Sequence, residues 1–231
     1  MKENFKVLKN YPRSRLHELI KNNDNLIGIE LGVAKGSFSK RMIDAKKFKI
    51  FFGVDKYTDH HNTKEYLHAI KNVGIFSNYR LIRSTFDEAL DLFEDNSFDF
   101  IYIDGYAHNG QLGGDTIAKW YPKLKINGVI CGDDYDDKFP LVKQSVNYLA
   151  DKYNLEIFIT DLSAEDDGHN FSSWAHICQK KLSMAADQKM IKKSKIYDFY
   201  FKSKIKVKKL FSKCFLPLKN IIKKKININK N

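Results

Sequence analysis

The sequence predicts an α/β domain built on a doubly wound, mostly parallel sheet, and three observations carry that prediction. Between Asn25 and Lys180, short runs rich in Ile, Val and Phe alternate with segments of helical period. The first such run ends in a turn with two glycines, Gly32 and Gly36, that leads straight into a helical segment. The last two runs are separated only by the polar loop Asp161–Phe171, with no helix-length segment, and so read as an antiparallel hairpin. The expectation is seven strands, the last two forming a C-terminal hairpin beside an otherwise parallel sheet.

In chain order, residues 1–24 are a lead-in carrying a helix at Ser14–Lys21, and residues 25–180 are the α/β domain. The expected strands are Leu26–Leu31, Ile50–Val54, Tyr79–Arg83, Phe98–Ile103, Gly128–Cys131, Leu155–Thr160 and Ser172–Gln179. A helix at Ser37–Lys46 starts just past Gly36, and His61–Lys71 follows the second strand. Phe86–Phe93 is short, and Asp115–Leu124 carries Ile117, Trp120 and Tyr121 on one side. Leu141–Tyr153 sets Leu141, Val142, Ser145, Val146, Leu149 and Ala150 on one face. Trp120, Trp174 and His176 read as packing residues.

The net charge of +12 is unevenly spread. From Lys180 onward there are 17 Lys, no Arg and two acids, so that stretch carries +15 and the remainder −3. Within the tail, 181–231, the residues Ile196, Phe199, Tyr200, Val207, Leu210, Phe211, Cys214, Phe215 and Leu218 recur at helical spacing, while Phe201 and Ile205 break it and Pro217 ends it. An aromatic face beside a lysine face suits the surface of an anionic membrane. A solvated extension and an RNA-binding tail are the rivals, the latter weakened by the lack of Arg. Cys131, Cys178 and Cys214 form no C-x-x-C pair, and neither a signal-peptide pattern nor an 18-residue apolar run occurs, so the expected location is cytoplasmic, with peripheral contact at the inner membrane surface.

In a doubly wound sheet ligands bind beyond the carboxyl ends of the strands, so the residues ending each strand matter most. The first ends Glu30-Leu31-Gly32-Val33-Ala34-Lys35-Gly36-Ser37, an acid-x-Gly-x-x-x-Gly turn into a helix; it is not the G-x-G-x-x-G of nicotinamide sites. The second ends in Asp55, placed to accept hydrogen bonds from ribose hydroxyls. This pattern resembles the first motif of class I S-adenosylmethionine-dependent methyltransferases, which share a Rossmann-like sheet. The resemblance implies S-adenosyl-L-methionine as cofactor, with its amino acid part held around Glu30, Gly32, Lys35, Gly36 and Ser37 and its adenine near Ser84 and Thr85. There the usual Gly-Asp-Ser has become Arg83-Ser84-Thr85.

The fourth strand ends in Asp104 and the fifth in Asp133-Asp134. Three carboxylates at neighbouring strand ends need a compensating cation or proton. A hard divalent ion, Mg²⁺ or Mn²⁺, held by Asp104, Asp133 and Asp134 is the expected solution. The stretch Ser97–His108, with Trp120–Gly128 and Gly132–Tyr135, resembles metal-dependent O-methyltransferases of the macrocin type, which implies a hydroxyl acceptor on a sugar or other polyhydroxylated molecule. The run Gly110-Gln111-Leu112-Gly113-Gly114 departs from that pattern on the substrate side. Asp104 and His108 are the candidate bases, although His108 also reads as a plain loop histidine. His60, His61 and His169 read as solvated loop residues that could alternatively line the acceptor pocket. An RNA-modifying methyltransferase using the tail, and a diverged hydroxylase chemistry on the same fold, are the alternative functions.

Overall fold

Strands that are apolar over most of their length must be covered on both faces, and Leu26–Leu31 and Phe98–Ile103, each with a single acid, accordingly lie side by side inside the sheet. The computed structural model describes residues 4–21, 24–58, 61–161, 171–204 and 206–207. The strands are β1 (Phe5–Leu8), β2 (Leu26–Leu31), β3 (Phe48–Val54), β4 (Tyr79–Ile82), β5 (Phe98–Ile103), β6 (Leu124–Gly132), β7 (Ile157–Thr160) and β8 (Trp174–Ile177). Their order across the sheet is β1-β7-β8-β6-β5-β2-β3-β4. Only β8 runs against its neighbours, β6 and β7. The period of two puts Ile101 and Ile103 in one core with Trp120 and Val142, and Phe100 and Tyr102 in the other with Phe38 and Met42. Trp174 and His176 are buried in β8, as expected.

The sheet has eight strands rather than the expected seven. The additional one is β1, in the segment read as a helical lead-in; it pairs parallel with β7, Phe5 opposite Ile157. Four residues in which only Phe5 is buried show too little alternation to be read locally, and the partner lies some 150 residues away. The helix expected at Ser14–Lys21 is a 3₁₀-helix at Arg13–Leu19.

The α-helices are α1 (Ser37–Asp44), α2 (Thr63–Asn72), α3 (Phe86–Ala89), α4 (Gly110–Gly113), α5 (Asp115–Trp120), α6 (Pro140–Tyr153) and α7, over 188–204. Asn62 with Glu65 and Thr85 with Glu88 form capping boxes that start α2 and α3. The unusual one is α4. Gly110, Gln111, Leu112, Gly113 and Gly114 all have φ between 55° and 86°, so this is a turn of left-handed helix, closed by a 2.9 Å bond from Gly114 N–H to the Gly110 carbonyl. Each non-glycine residue in that conformation costs about 1–2 kcal/mol, which falls here on Gln111 and Leu112.

The expected tail helix, Ile196–Leu218, starts earlier, at 188, and its positions 205 and 208 onward lie outside the described residues, as do His60 and His169. Its inner face holds Met190, Ile191, Ser194, Asp198 and Phe201, each half-buried or buried, while Ile196, Phe199 and Tyr200 point outward. Among the described residues no helix is long and apolar enough to cross a membrane.

Candidate active site

The chain runs β2-β3-β4 outward in one direction, then returns to place β5 on the other side of β2. The point between β2 and β5 is thus the topological switch, where strand ends splay apart and leave a crevice. A cavity of about 290 Å³ opens there, with Gly32, Asp55 and His61 on one side and Tyr106, His108 and Phe201 on the other.

Gly32 has φ 100°, and a Cβ there would run into the Asp104 backbone carbonyl, so the turn after β2 admits no side chain. Asp55 is anchored by its own surroundings. One oxygen accepts from Tyr57 N–H at 2.9 Å; the other accepts from the Val33 and Ala34 amides at 3.0 Å and lies 2.7 Å from His61 Nδ1. Burial alone would raise the Asp55 pKa, but the hydrogen bond and charge of His61, with the amides, hold it below the usual range. His61 lines the cavity beside Asp55 rather than standing free in a solvated loop.

Other expected cofactor residues lie elsewhere. Glu30 is buried beneath the turn, accepting from Ser39 Oγ on α1, and burial pushes its pKa well up. The Ser39 hydrogen bond ties β2 to α1. Gly36 is buried, whereas Lys35 and Ser37 are exposed. The Ser84 and Thr85 hydroxyls donate to Glu88 at 3.3 and 2.7 Å, and it is Phe86 that reaches the cavity wall.

The acids after β5 and β6 do converge, but around a guanidinium. Arg13 Nη1 lies 2.5 Å from Asp133 Oδ2 and 3.4 Å from Asp104 Oδ2, and donates to the Tyr102 hydroxyl at 3.3 Å. The other Asp133 oxygen accepts from Ser173 Oγ at 3.0 Å. The Arg13 guanidinium stands 5.6 Å from the Phe38 ring centroid. Asp134, at φ 62°, has its pKa pushed up to about 8, by burial first and then by Asp133 and Asp104. The cluster is thus compensated by an internal cation and a proton. The expected Mg²⁺ or Mn²⁺ site is not shown: both Asp133 oxygens are engaged by protein donors, and Arg13 bridges two of the three expected ligands. No group of three or more His, Cys, Asp or Glu among the described residues is arranged to hold a metal ion.

On the remaining side, Tyr106 adopts a left-handed conformation, φ 59°, and meets Phe86 edge to face at 5.0 Å. His108 Nε2 lies 3.1 Å from Asp198 Oδ1, and Phe201 stacks on the His108 ring at 4.3 Å. Arg13, Asp198 and Phe201 were not singled out in the sequence as site residues. The one local sign was that Phe201 breaks the amphipathic pattern of its helix.

Residues 29–135 match the family model described as a methyltransferase domain. That span runs from the glycine turn through Asp55 and Asp104 to Asp133-Asp134. Solved structures share the fold. A putative O-methyltransferase from Klebsiella pneumoniae is 16% identical, covers 71% of this chain and 79% of its own, and has a TM-score of 0.53. An O-methyltransferase from Bacillus cereus in complex with SAH is 13% identical over the same shares, also at 0.53. A precorrin-6y C5,15-methyltransferase from Geobacter metallireducens GS-15 is 17% identical, covers 69% of this chain and 84% of its own, at 0.52. No curated protein matches the sequence. The chain therefore shares the fold of these methyltransferases, with a crevice at the switch point.

Proposed function

We propose that the protein is an S-adenosylmethionine-dependent O-methyltransferase whose acceptor is a hydroxyl of a sugar or another polyhydroxylated small molecule. The observation that carries this reading is that Gly32, Asp55 and His108, from three different strand ends, border one cavity at the switch point. The methyltransferase-domain match over residues 29–135 supports the cofactor.

The residues present fit that cofactor. The side-chain-free turn at Gly32 leaves room for close backbone approach, and the Asp55 oxygen that accepts from Tyr57 N–H has a second lone pair for a ribose hydroxyl at the tip of β3. When bound, S-adenosylmethionine supplies an electrophilic methyl group on a sulfonium. On the acceptor side, His108 is the group suited to taking the hydroxyl proton. Tyr106, Phe139 and Phe201 present flat apolar faces to a ring, and together with Phe86 they keep much of the cavity wall dry. Arg13 holds Asp104 and Asp133 in place, so no step here is assigned to Mg²⁺ or Mn²⁺.

The test is calorimetric titration with S-adenosylhomocysteine, with and without Mg²⁺, followed by a screen of nucleotide-linked sugars for methyl transfer. Binding that is lost in Gly32→Ala and indifferent to Mg²⁺ is the expected result. Failure to bind S-adenosylhomocysteine at millimolar concentration overturns the reading.

A further inference from the structure

The helix α7 approaches the cavity from the far end of the chain, and the left-handed turn α4 makes room for it. A Cβ at Gly113 would stand 2.7 Å from the Met190 carbonyl carbon, so the α7 backbone packs directly against this glycine. Gly110 does the same for α6, where a Cβ would meet the Leu141 carbonyl oxygen at 2.5 Å. The strain of the turn is thereby matched to the seating of two helices beside the loop that carries His108.

Seated this way, α7 presents two side chains one turn apart to His108. Asp198 Oδ1 lies 3.1 Å from His108 Nε2, while Asp198 Oδ2 pairs with Lys202 at 2.6 Å. Phe201 covers the ring, its plane 14° from that of the imidazole, and also lines the cavity. Asn109 Nδ2 also approaches Asp198 Oδ1, at 3.5 Å. A carboxylate hydrogen-bonded to one imidazole nitrogen fixes the tautomer and the ring plane, and leaves the other nitrogen as the basic one.

We propose that α7 is a wall of the acceptor subsite and that Asp198 is a positioning residue, holding His108 with its proton on Nε2 so that Nδ1 receives the proton of the acceptor hydroxyl. The inference rests on the methyltransferase reading above. In the transfer, the hydroxyl proton passes to Nδ1, the O–CH₃ bond forms as the S–CH₃ bond breaks, and the sulfur keeps the bonding pair as a neutral thioether. The positive charge lost by the sulfonium reappears on the imidazolium beside Asp198, where the carboxylate stabilises it. A segment whose composition suggests only a basic appendage thus supplies part of the catalytic side of the site.

Long-range ¹⁵N–¹H spectra of the full chain at about pH 9, where ordinary imidazoles are neutral, read the tautomer directly. The His108 signal is assigned by its loss in His108→Gln. The expected wild-type signal is a single Nε2-protonated ring. Asp198→Asn keeps that pattern, because the carboxamide oxygen still accepts, whereas Asp198→Ala gives a mixture of both tautomers. Phe201→Ala moves the His108 Cε1 proton downfield as the stacked ring is removed. A wild-type ring protonated on Nδ1, or an Asp198→Ala spectrum identical to wild type, overturns the proposal. Titration with S-adenosylhomocysteine keeps the two readings apart: its failure with the expected tautomers removes the cofactor reading and leaves the His108–Asp198 geometry standing.

Discussion

The two halves of the cavity are assembled in different ways. On the cofactor side, Gly32, Asp55, Tyr57 and His61 come from the ends of β2 and β3 and the turns that follow, and Asp55 is held by groups within about twenty residues of it in sequence. On the other side, Asp198 meets His108 across 90 positions, and in the acid cluster at the ends of β5 and β6 Arg13 reaches Asp133 across 120 and Ser173 reaches it across 40. A cofactor common to many enzymes can be held by a local strand-turn-helix device. The His108 side is closed instead by α7, a segment distant in sequence.

The sharpest way to break that contrast is to remove Arg13. Asp133 is almost fully buried, so Arg13→Ala leaves its charge without the guanidinium. Losing one partner of a buried ion pair costs about 3–5 kcal/mol, measurable as a lower urea midpoint at unchanged slope. Arg13→Met, which keeps much of the packing against Phe38, separates charge from contact. Should Mg²⁺ restore the stability of Arg13→Ala while leaving wild type unaffected, the acids can still ligate a metal once the guanidinium is gone. Unchanged stability in both variants would mean that the cluster is compensated by protonation alone, and the long-range link to the N-terminus would lose its role.

A smaller effect is expected at Gly113. Alanine there takes on the left-handed conformation, at about 1–2 kcal/mol, and its Cβ meets the α7 backbone. The expected outcome is displacement of α7, seen as faster proteolysis within 188–204, with S-adenosylhomocysteine binding close to wild type. Weakened cofactor binding of the same size would erase the division between the two sides.

The same division explains what the sequence could show. Strand β5 is legible to the residue, because Phe98–Ile103 is apolar but for Asp99 and its end carries Asp104; β2, apolar but for Glu30, is equally so. Gly32 and Asp55 were found through local spacing. The convergence of Asp104, Asp133 and Asp134 was legible too, but not what compensates them, because Arg13 sits in a segment with no pattern of its own and its partners appear only when β5 and β6 pair. The glycine run at 110–114 signalled a departure without revealing its cause, the seating of α7. Of the tail, charge and periodicity described the outward face, whereas the docked face is set by Ser194, Asp198 and Phe201, a polar and pattern-breaking set that no hydrophobic periodicity reports.

The smallest expected effect tests whether the cofactor side is as self-contained as its short contacts suggest. The hydrogen bond that His61 donates to Asp55, opposed by burial, raises the His61 pKa, while Asp55 is held below its usual range. A histidine raised in the folded state adds stability that is complete below the unfolded value near 6.5 and fades as pH rises through the folded value. The depressed Asp55 adds stability that is present above about pH 4 and fades as pH falls through its own lowered value. Their joint contribution therefore spans mildly acidic to neutral pH. His61→Asn removes the titration while retaining a polar side chain. Relative to that variant, wild type should be more stable at pH 5.5 by less than about 1 kcal/mol, with the gap closing by pH 8.5. A gap that persists or widens at pH 8.5 means that His61 acts by packing against Tyr57 rather than by charge, and that Asp55 relies on the backbone amides of the two turns alone.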